Sequence, residues 1–357
     1  MSTVKPEDQG EVLLPAELAR LDAWMDGEGL EAGPIADVRP LSGGTQNIIV
    51  QFRRGGSQFV LRRPSRHPRA KADETMMREA QVLSALAGTE APHPRLIAAC
   101  ADRDVLGAAF YLMEPVSGFL APAGLPPLHR GSAAVRREMG LALVEGAAAL
   151  SRVDYRKVGL EGFGRPDGFL ERQAGRWRSQ LESYAEHEGW PGPVDLGAVD
   201  AVQRWLEANL PASGYRPGVM HGDYHIANVL FRYDSPKLAA IVDWELATIG
   251  DPLLDLGWAV ATWPDEEGRM PDPELALSPG DGLASAAELI AHYGRCTDRD
   301  LSAVAWYVVL ACYKLGIVLE GTHARACAGK APEAMGRRLH RSSVMLFERA
   351  LSWMGKA

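Results

Sequence analysis

Two short apolar runs around a turn constrain this chain more than anything else in it. Val229-Leu230-Phe231 and Ala239-Ala240-Ile241-Val242 read as strands, with Tyr233-Asp234-Ser235-Pro236 turning between them. A hairpin brings its open ends together, and these ends carry Asn228 and Asp243. Just upstream, Asp223 and Asn228 bracket the loop of His221-Gly222-Asp223-Tyr224-His225-Ile226-Ala227-Asn228. An amide oxygen beside a carboxylate suits magnesium, which prefers oxygen ligands and keeps several waters. A further carboxylate, Asp223, is placed to receive a hydroxyl proton. Phosphoryl transfer from a nucleotide needs that set. His221 lies too close behind Asp223 to be an obvious base and reads as structural. His225 reads as a histidine that packs or hydrogen-bonds within the loop.

The rest of the chain is compatible with that chemistry. Its 357 residues exceed what one hydrophobic core usually serves. A formal charge of -8 argues against nucleic acid as a partner. Cys100, Cys296, Cys312 and Cys327 form no CxxC pair, and reduced thiols in a cytoplasmic protein are the expectation. No basic stretch followed by an apolar run opens the chain, so no signal peptide is expected. Leu301 to Leu319 is the longest apolar stretch, but it contains Lys314. It reads as a buried helix rather than a membrane span.

Taken in order, His221-Gly222-Asp223 with Asn228, then Asp243-Trp244-Glu245, then Gly250-Asp251-Pro252-Leu253-Leu254-Asp255-Leu256 resemble the aminoglycoside phosphotransferase and choline kinase superfamily. That resemblance implies an α+β, two-lobed, protein-kinase-like fold. The small lobe would be an antiparallel sheet with one main helix, and the larger lobe mainly helical. It implies ATP and Mg2+ as cofactors, Asp223 as catalytic base, and Asn228 and Asp243 as magnesium ligands. His221, Glu245, Asp251 and Asp255 would be supporting residues. Trp244-Glu245 stands where protein kinases carry Phe-Gly, which points to a small-molecule acceptor.

The expected division is a tail and capping helix over 1–34, a small lobe over 35–116, and a large lobe over 117–357. Strands are expected at 35–41, 48–52 and 58–62, with a hairpin at Arg53-Arg54-Gly55-Gly56. Ser42, Gly43, Gly44, Thr45, Gln46 and Asn47 form the turn assigned to the nucleotide phosphates, since glycine lets backbone N–H groups approach phosphate oxygens. The family places a lysine on the third strand, whereas this chain reads Arg62-Arg63. Arg62 aligns best; Arg63 is either the phosphate contact or a surface residue. A guanidinium is longer than an ammonium and planar, so the exchange is not neutral. Residues 72–86 show helical spacing, and Glu79 on that helix is the expected ion-pair partner of Arg62. Met113, Glu114 and Val116, at the end of the strand starting at Phe110, are the expected adenine contacts. Helices are expected over 135–153 and 169–186.

The acceptor, a small-molecule alcohol, is left open between two classes. A polycationic aminoglycoside wants carboxylates, and Asp265-Glu266-Glu267 with Asp272 and Glu274 offer some, although a solvated acidic loop explains them as well. The runs Phe59 to Pro64, Arg78-Glu79-Ala80 and Asp243 to Pro252 also resemble the kinase domain fused to long acyl-CoA dehydrogenases and its free-standing bacterial relatives. That branch implies a hydroxyacyl-CoA acceptor and functional coupling to an acyl-CoA dehydrogenase. The basic run Arg62 to Lys71 is a candidate contact for CoA. Neither a membrane nor a nucleic-acid partner is expected. A nucleotide-binding pseudokinase module is the alternative in another class, encouraged only by Arg62.

Overall fold

Strand pairing in the first third of the chain follows its alternating apolar residues. A computed structural model describes residues 13–41, 47–66, 70–212 and 215–356. One unit comprises Met1–Gly88, His93–Ser117 and Asp243–Glu245; the other comprises Thr89–Pro92, Gly118–Val242 and Leu246–Ala357.

The first unit opens with α1 (Pro15–Gly27), within the segment expected to hold the capping helix. Proline suits a first helical turn, where an N–H would be unpaired anyway. There follow β1 (Ile35–Pro40), β2 (Asn47–Arg54), β3 (Ser57–Pro64), α2 (Ala72–Leu86), β4 (Leu96–Cys100), a single turn α3 (Arg103–Leu106) and β5 (Phe110–Met113). The strands form one sheet in the order β1-β2-β3-β5-β4. β4 was not foreseen, because Leu96 to Cys100 lacks a clear period of two. β5 stops at Met113, just ahead of Pro115, which cannot donate to a ladder.

Side chains alternate across a strand, so β3 serves two neighbours at once. Phe59 and Leu61 pack with Val50, Phe52, Phe110 and Leu112 in the cluster that includes Leu21 and Met25 of α1. Val60 and Arg62 point the other way. Arg62 sits directly opposite Tyr111 of β5, so the two share a face. α2 buries Met76, Glu79, Ala80, Val82, Leu83 and Leu86. Arg63, on the α1 side, is buried and paired with Glu17 at 2.9 Å. Arg66 reaches the same carboxylate at 3.1 Å.

The second unit is mainly helical. It contains a single turn α4 (Pro127–Arg130), α5 (Ala133–Ser151), α6 (Gln173–Ser183), α7 (Val199–Ala208), β6 (Gly218–Met220), β7 (Val229–Phe231), β8 (Leu238–Ile241), β9 (Thr248–Gly250), α8 (Leu253–Thr262), α9 (Ala286–Cys296), α10 (Val304–Cys327) and α11 (Glu333–Met354). β7 pairs antiparallel with β8, as the hairpin reading requires, and β6 pairs with β9. α6 begins later than expected, since Phe169 and Leu170 are buried in the turn before it. α10 is long and apolar enough to cross a membrane, yet 72% of its most apolar window is buried inside the protein. It packs against α11 and α8, which explains apolar residues on most of its faces.

Candidate active site

The loop after β6 is built on backbone hydrogen bonds to one carboxylate. Asp255, buried in the first turn of α8, accepts the His221 N–H at 2.7 Å and the Gly222 N–H at 2.9 Å. Burial raises its carboxyl above the usual range, against these two N–H bonds and the charge of Lys314. Asp251 braces the start of the same helix: it accepts the Leu253 N–H at 3.0 Å and the Tyr307 hydroxyl at 2.7 Å. Gly222 has φ of +86°, and a Cβ there would collide with the Leu246 carbonyl. Only glycine fits between His221 and Asp223. The buried His221 donates from Nε2 to the Val242 carbonyl at 2.9 Å, and its Nδ1 accepts the Asp223 N–H at 3.3 Å. That pairing assigns the tautomer.

The Asp223 side chain is half-buried. Asn228 gives its amide hydrogens to the Asp223 carbonyl at 2.9 Å and to Asp223 Oδ2 at 3.0 Å. His225 Nε2 lies 3.4 Å from Asp223 Oδ1, while its Nδ1 accepts the Ala227 N–H. His225 therefore orients the carboxylate as well as the loop. Burial pushes the Asp223 carboxyl up. The hydrogen bond of His225 and the charge of Lys314 win and hold it well below the usual range. Asp223 is an ionised acceptor at any ordinary pH. With Nδ2 committed, Oδ1 of Asn228 is the atom left for a cation. β7 and β8 close with the Val242 N–H on the Asn228 carbonyl at 2.9 Å, and Asp243 is the next residue along the chain.

Asp243 has a φ of 67°, a left-handed backbone uncommon outside glycine. Its Oδ1 accepts Arg62 Nη2 at 2.5 Å, and Arg62 Nε lies 3.0 Å from Glu79 Oε2. The Tyr111 hydroxyl donates to the same Glu79 oxygen at 3.0 Å. Arg62 therefore has the expected glutamate partner and an unexpected second carboxylate. Burial drives the Glu79 carboxyl up to about 7, with Arg62 opposing and the charges of Asp243 and Glu245 adding to the rise. For Arg62, burial opposes the charge, but Glu79, Tyr111 and Asp243 raise its pKa further. Asn228 and Asp243 offer hard oxygen donors of the kind magnesium takes.

The phosphotransferase enzyme family model matches residues 37–289. The chain belongs to that family. Chicken (Gallus gallus) acyl-CoA dehydrogenase family member 11 is 30% identical over 320 residues, 88% of this chain and 40% of that protein. The chain thus spans about two fifths of the length of the curated relatives it matches. A Ralstonia eutropha protein classed with the aminoglycoside phosphotransferases superposes with a TM-score of 0.77 at 28% identity, covering 95% of this chain and 98% of that one. A thermostable mutant aminoglycoside phosphotransferase, crystallised with AMP-PNP and hygromycin B, superposes at 0.54 with 15% identity, over 92% and 99%. At that identity the likeness concerns the kinase-like fold alone.

Other expected site residues fare unevenly in this phosphotransferase. Ser42, Gly43, Gly44, Thr45 and Gln46 lie outside the described residues; Asn47 opens β2. The Glu114 N–H bonds the Arg95 carbonyl at 2.9 Å, and its side chain pairs with Arg95, so its amide is not open to a base. Met113 and Val116 are half-buried at the end of β5 and just beyond it. Arg63 is neither a surface residue nor placed for phosphate, because Glu17 holds it. Arg62, Arg63 and Arg66 all have intramolecular carboxylates, which removes most of the described basic run as a free patch for CoA.

The acidic loop is compensated too. Asp265 pairs with Arg269 at 2.9 Å, and Asp272 and Glu274 each pair with Arg338 at 2.9 Å. Most large-lobe aromatics are committed to packing: Tyr184 bonds the Ile317 carbonyl, Trp263 that of Ala284, and Trp306 that of Leu206. Sequence reasoning missed Lys314 as a site residue. Its Nζ donates to the Gly222 carbonyl at 2.9 Å and lies over Trp258 at 4.4 Å and Trp177 at 5.5 Å. Burial lowers its pKa to about 8, against the pull of Asp223 and Asp255 and with the help of Arg176. The signal was one charge inside an apolar helix. Tyr111 was missed as well, though its place opposite Arg62 follows from strand pairing.

Proposed function

We propose that this chain is an ATP- and Mg2+-dependent kinase that phosphorylates a hydroxyl of an acyl-CoA. The observation that carries the reading is the ionised Asp223, fixed by Asn228 and His225 in a loop pinned to Asp255. A carboxylate held so far below its usual range is a weak base toward an alcohol. Its work is to accept the hydroxyl's hydrogen bond, align the oxygen, and take the proton late. Most of the rate gain then comes from positioning. Asn228 Oδ1 and the Asp243 carboxylate would hold the magnesium, which supplies charge neutralisation for the transferred phosphoryl group. Arg62 would exchange its bond to Asp243 for nucleotide phosphate, keeping Glu79 as anchor. Backbone groups near Met113 and Val116, and the segment from Ser42 to Asn47, remain the candidates for adenine and phosphate contacts.

Lys314 favours one acceptor class over the other. Its ammonium sits beside the Gly222 carbonyl within electrostatic reach of Asp223, where a dense polycation would meet repulsion. Four of the five carboxylates offered to an aminoglycoside, Asp265, Glu267, Asp272 and Glu274, already have arginines. The acyl-CoA dehydrogenase relatives favour the same anionic acceptor and a partner dehydrogenase. A panel of hydroxyacyl-CoA, aminoglycoside, choline and sugar acceptors, read as Mg2+-dependent ADP release, tests this. Release that depends on hydroxyacyl-CoA supports the proposal, and release with aminoglycoside alone refutes the acceptor. The Arg62–Asp243 bond favours one other reading, a nucleotide-binding module. Tight ATP binding without acceptor-dependent ADP release across the panel would establish that instead.

A further inference from the structure

We propose that Glu320, His323 and His340 form a binding site for a zinc-type transition-metal ion in the helical unit. The proposal does not rest on the phosphate-transfer reading. Glu320 and His323 stand at i and i+3 of α10, so one face of that helix presents both. His340 comes from α11, one turn beyond Gly336. A Cβ at Gly336 would overlap Ala326 and press on His323, so this glycine lets the two helices approach. The His323 and His340 ring centroids are 4.5 Å apart.

Ligand atoms of Glu320, His323 and His340 all lie within 4.8 Å of one another. Tetrahedral zinc, with bonds of about 2.0–2.2 Å, spaces such ligands by about 3.3 Å. Small side-chain adjustments therefore suffice. Cys327 Sγ lies 3.7 Å from His323 Nε2, across the ring from the unpartnered Nδ1, and stands outside that ligand set.

The electrostatics call for a cation. Glu320 is fully buried, and its ion-pair partner among the described residues is His340, at 2.8 Å from Oε2. No lysine or arginine pair with it is present among the described residues. His340 supplies charge only when protonated, whereas a buried carboxylate needs a permanent partner. The His323 Nδ1 is buried without a hydrogen-bond partner among the described residues, a costly arrangement for an imidazole nitrogen. The remaining Glu320 oxygen, Oε1, accepts the Trp190 indole N–H at 2.8 Å. That bond fixes the carboxylate as outer partners fix metal ligands. Two imidazoles and a carboxylate select zinc over magnesium. Three protein ligands drawn from two helices leave one position for water, and the ion would clamp α10 to α11. On binding, the proton shared by Glu320 and His340 goes to solvent.

The test uses the full chain, loaded with zinc alone or with cobalt, desalted, and assayed for bound metal. The expected result is about one zinc per chain, retained against excess magnesium. The cobalt form should show tetrahedral ligand-field bands, and Cys327→Ser should leave them unchanged. His323→Gln should weaken zinc binding by more than the about 10- to 100-fold expected of Trp190→Phe, which touches only the carboxylate's outer bond. Cys327 is exposed and His323 half-buried, so these variants should fold, and circular dichroism checks it. The proposal fails if the wild-type chain retains no zinc, or if His323→Gln binds it with unchanged affinity and spectra.

Discussion

Asp223 and Asp243 are both carboxylates beside positive charge, yet their surroundings differ in kind. Asp223 sits in a loop whose N–H groups are gripped by Asp255 and whose side chains, His221, His225 and Asn228, are mutually hydrogen-bonded. Asp243 sits in an ionic cluster of Arg62, Glu79 and Tyr111, on a left-handed backbone. If Asp223 receives the acceptor hydroxyl as proposed, the first arrangement is already what that hydroxyl requires. The second satisfies its own charges and, on the same proposal, would have to exchange partners before a metal–nucleotide complex could settle. Preorganisation would then be concentrated on the acceptor side of the chemistry, and adjustability on the nucleotide side.

Substitutions at four positions sharpen or break that contrast. Asp223→Ala should have the largest effect, lowering turnover about a thousandfold or more while ATP affinity stays within about threefold. Near-normal ADP release by this variant would dissolve the contrast altogether. Next comes Arg62→Met, which leaves Glu79 buried without its cation. Such a break costs about 3–5 kcal/mol, readable by urea denaturation. Adding Glu79→Gln should recover most of the loss, and a double variant as unstable as the single one would show that the cluster is not coupled through that pair.

A smaller effect is expected at Lys314. Lys314→Met should raise KM for an anionic acceptor about tenfold, roughly the value of one charge contact. The ammonium, flanked by Asp223, Asp255 and Arg176, loses its proton as pH rises through about 8. In the wild type KM should therefore climb above that pH, and in Lys314→Arg it should stay flat. Identical KM–pH profiles would remove Lys314 from acceptor recognition.

The subtlest effect concerns Glu79. Its folded carboxyl is raised from 4.5 to about 7, so the folded state favours the neutral form. Its contribution to stability is fully present below about 4.5 and is lost as pH rises through about 7. Melting temperatures of Glu79→Gln measured from acid to mildly alkaline pH should decline less across that window than those of the wild type. Parallel curves would mean that Glu79 is ionised throughout.

The legible parts of this molecule were those with strong local signals. α2 occupies Ala72–Leu86 as its periodicity implied, and the β7–β8 hairpin follows from two apolar runs around a turn. Glu79 pairs with Arg62, as the resemblance implied. Three-residue strands such as β6 and β9 carry no usable period, and β4 shows none. The bond from Arg62 to Asp243 spans 181 positions, a separation no local pattern reports. Arg63 looked interchangeable with Arg62 in the sequence; strand alternation sends it to the opposite face, where Glu17 waits. Lys314 was visible only as an oddity in an apolar run, since its purpose depends on a loop more than ninety positions earlier.

One carboxylate clasping two successive amides has a consequence for motion. The His221 and Gly222 N–H groups, closed off by Asp255 at the buried base of α8, have no local route to solvent. They should trade hydrogen for deuterium only when the helical unit opens cooperatively, on the slowest timescale the protein shows. The segment that aligns the acceptor would then be as quiet as the deepest core.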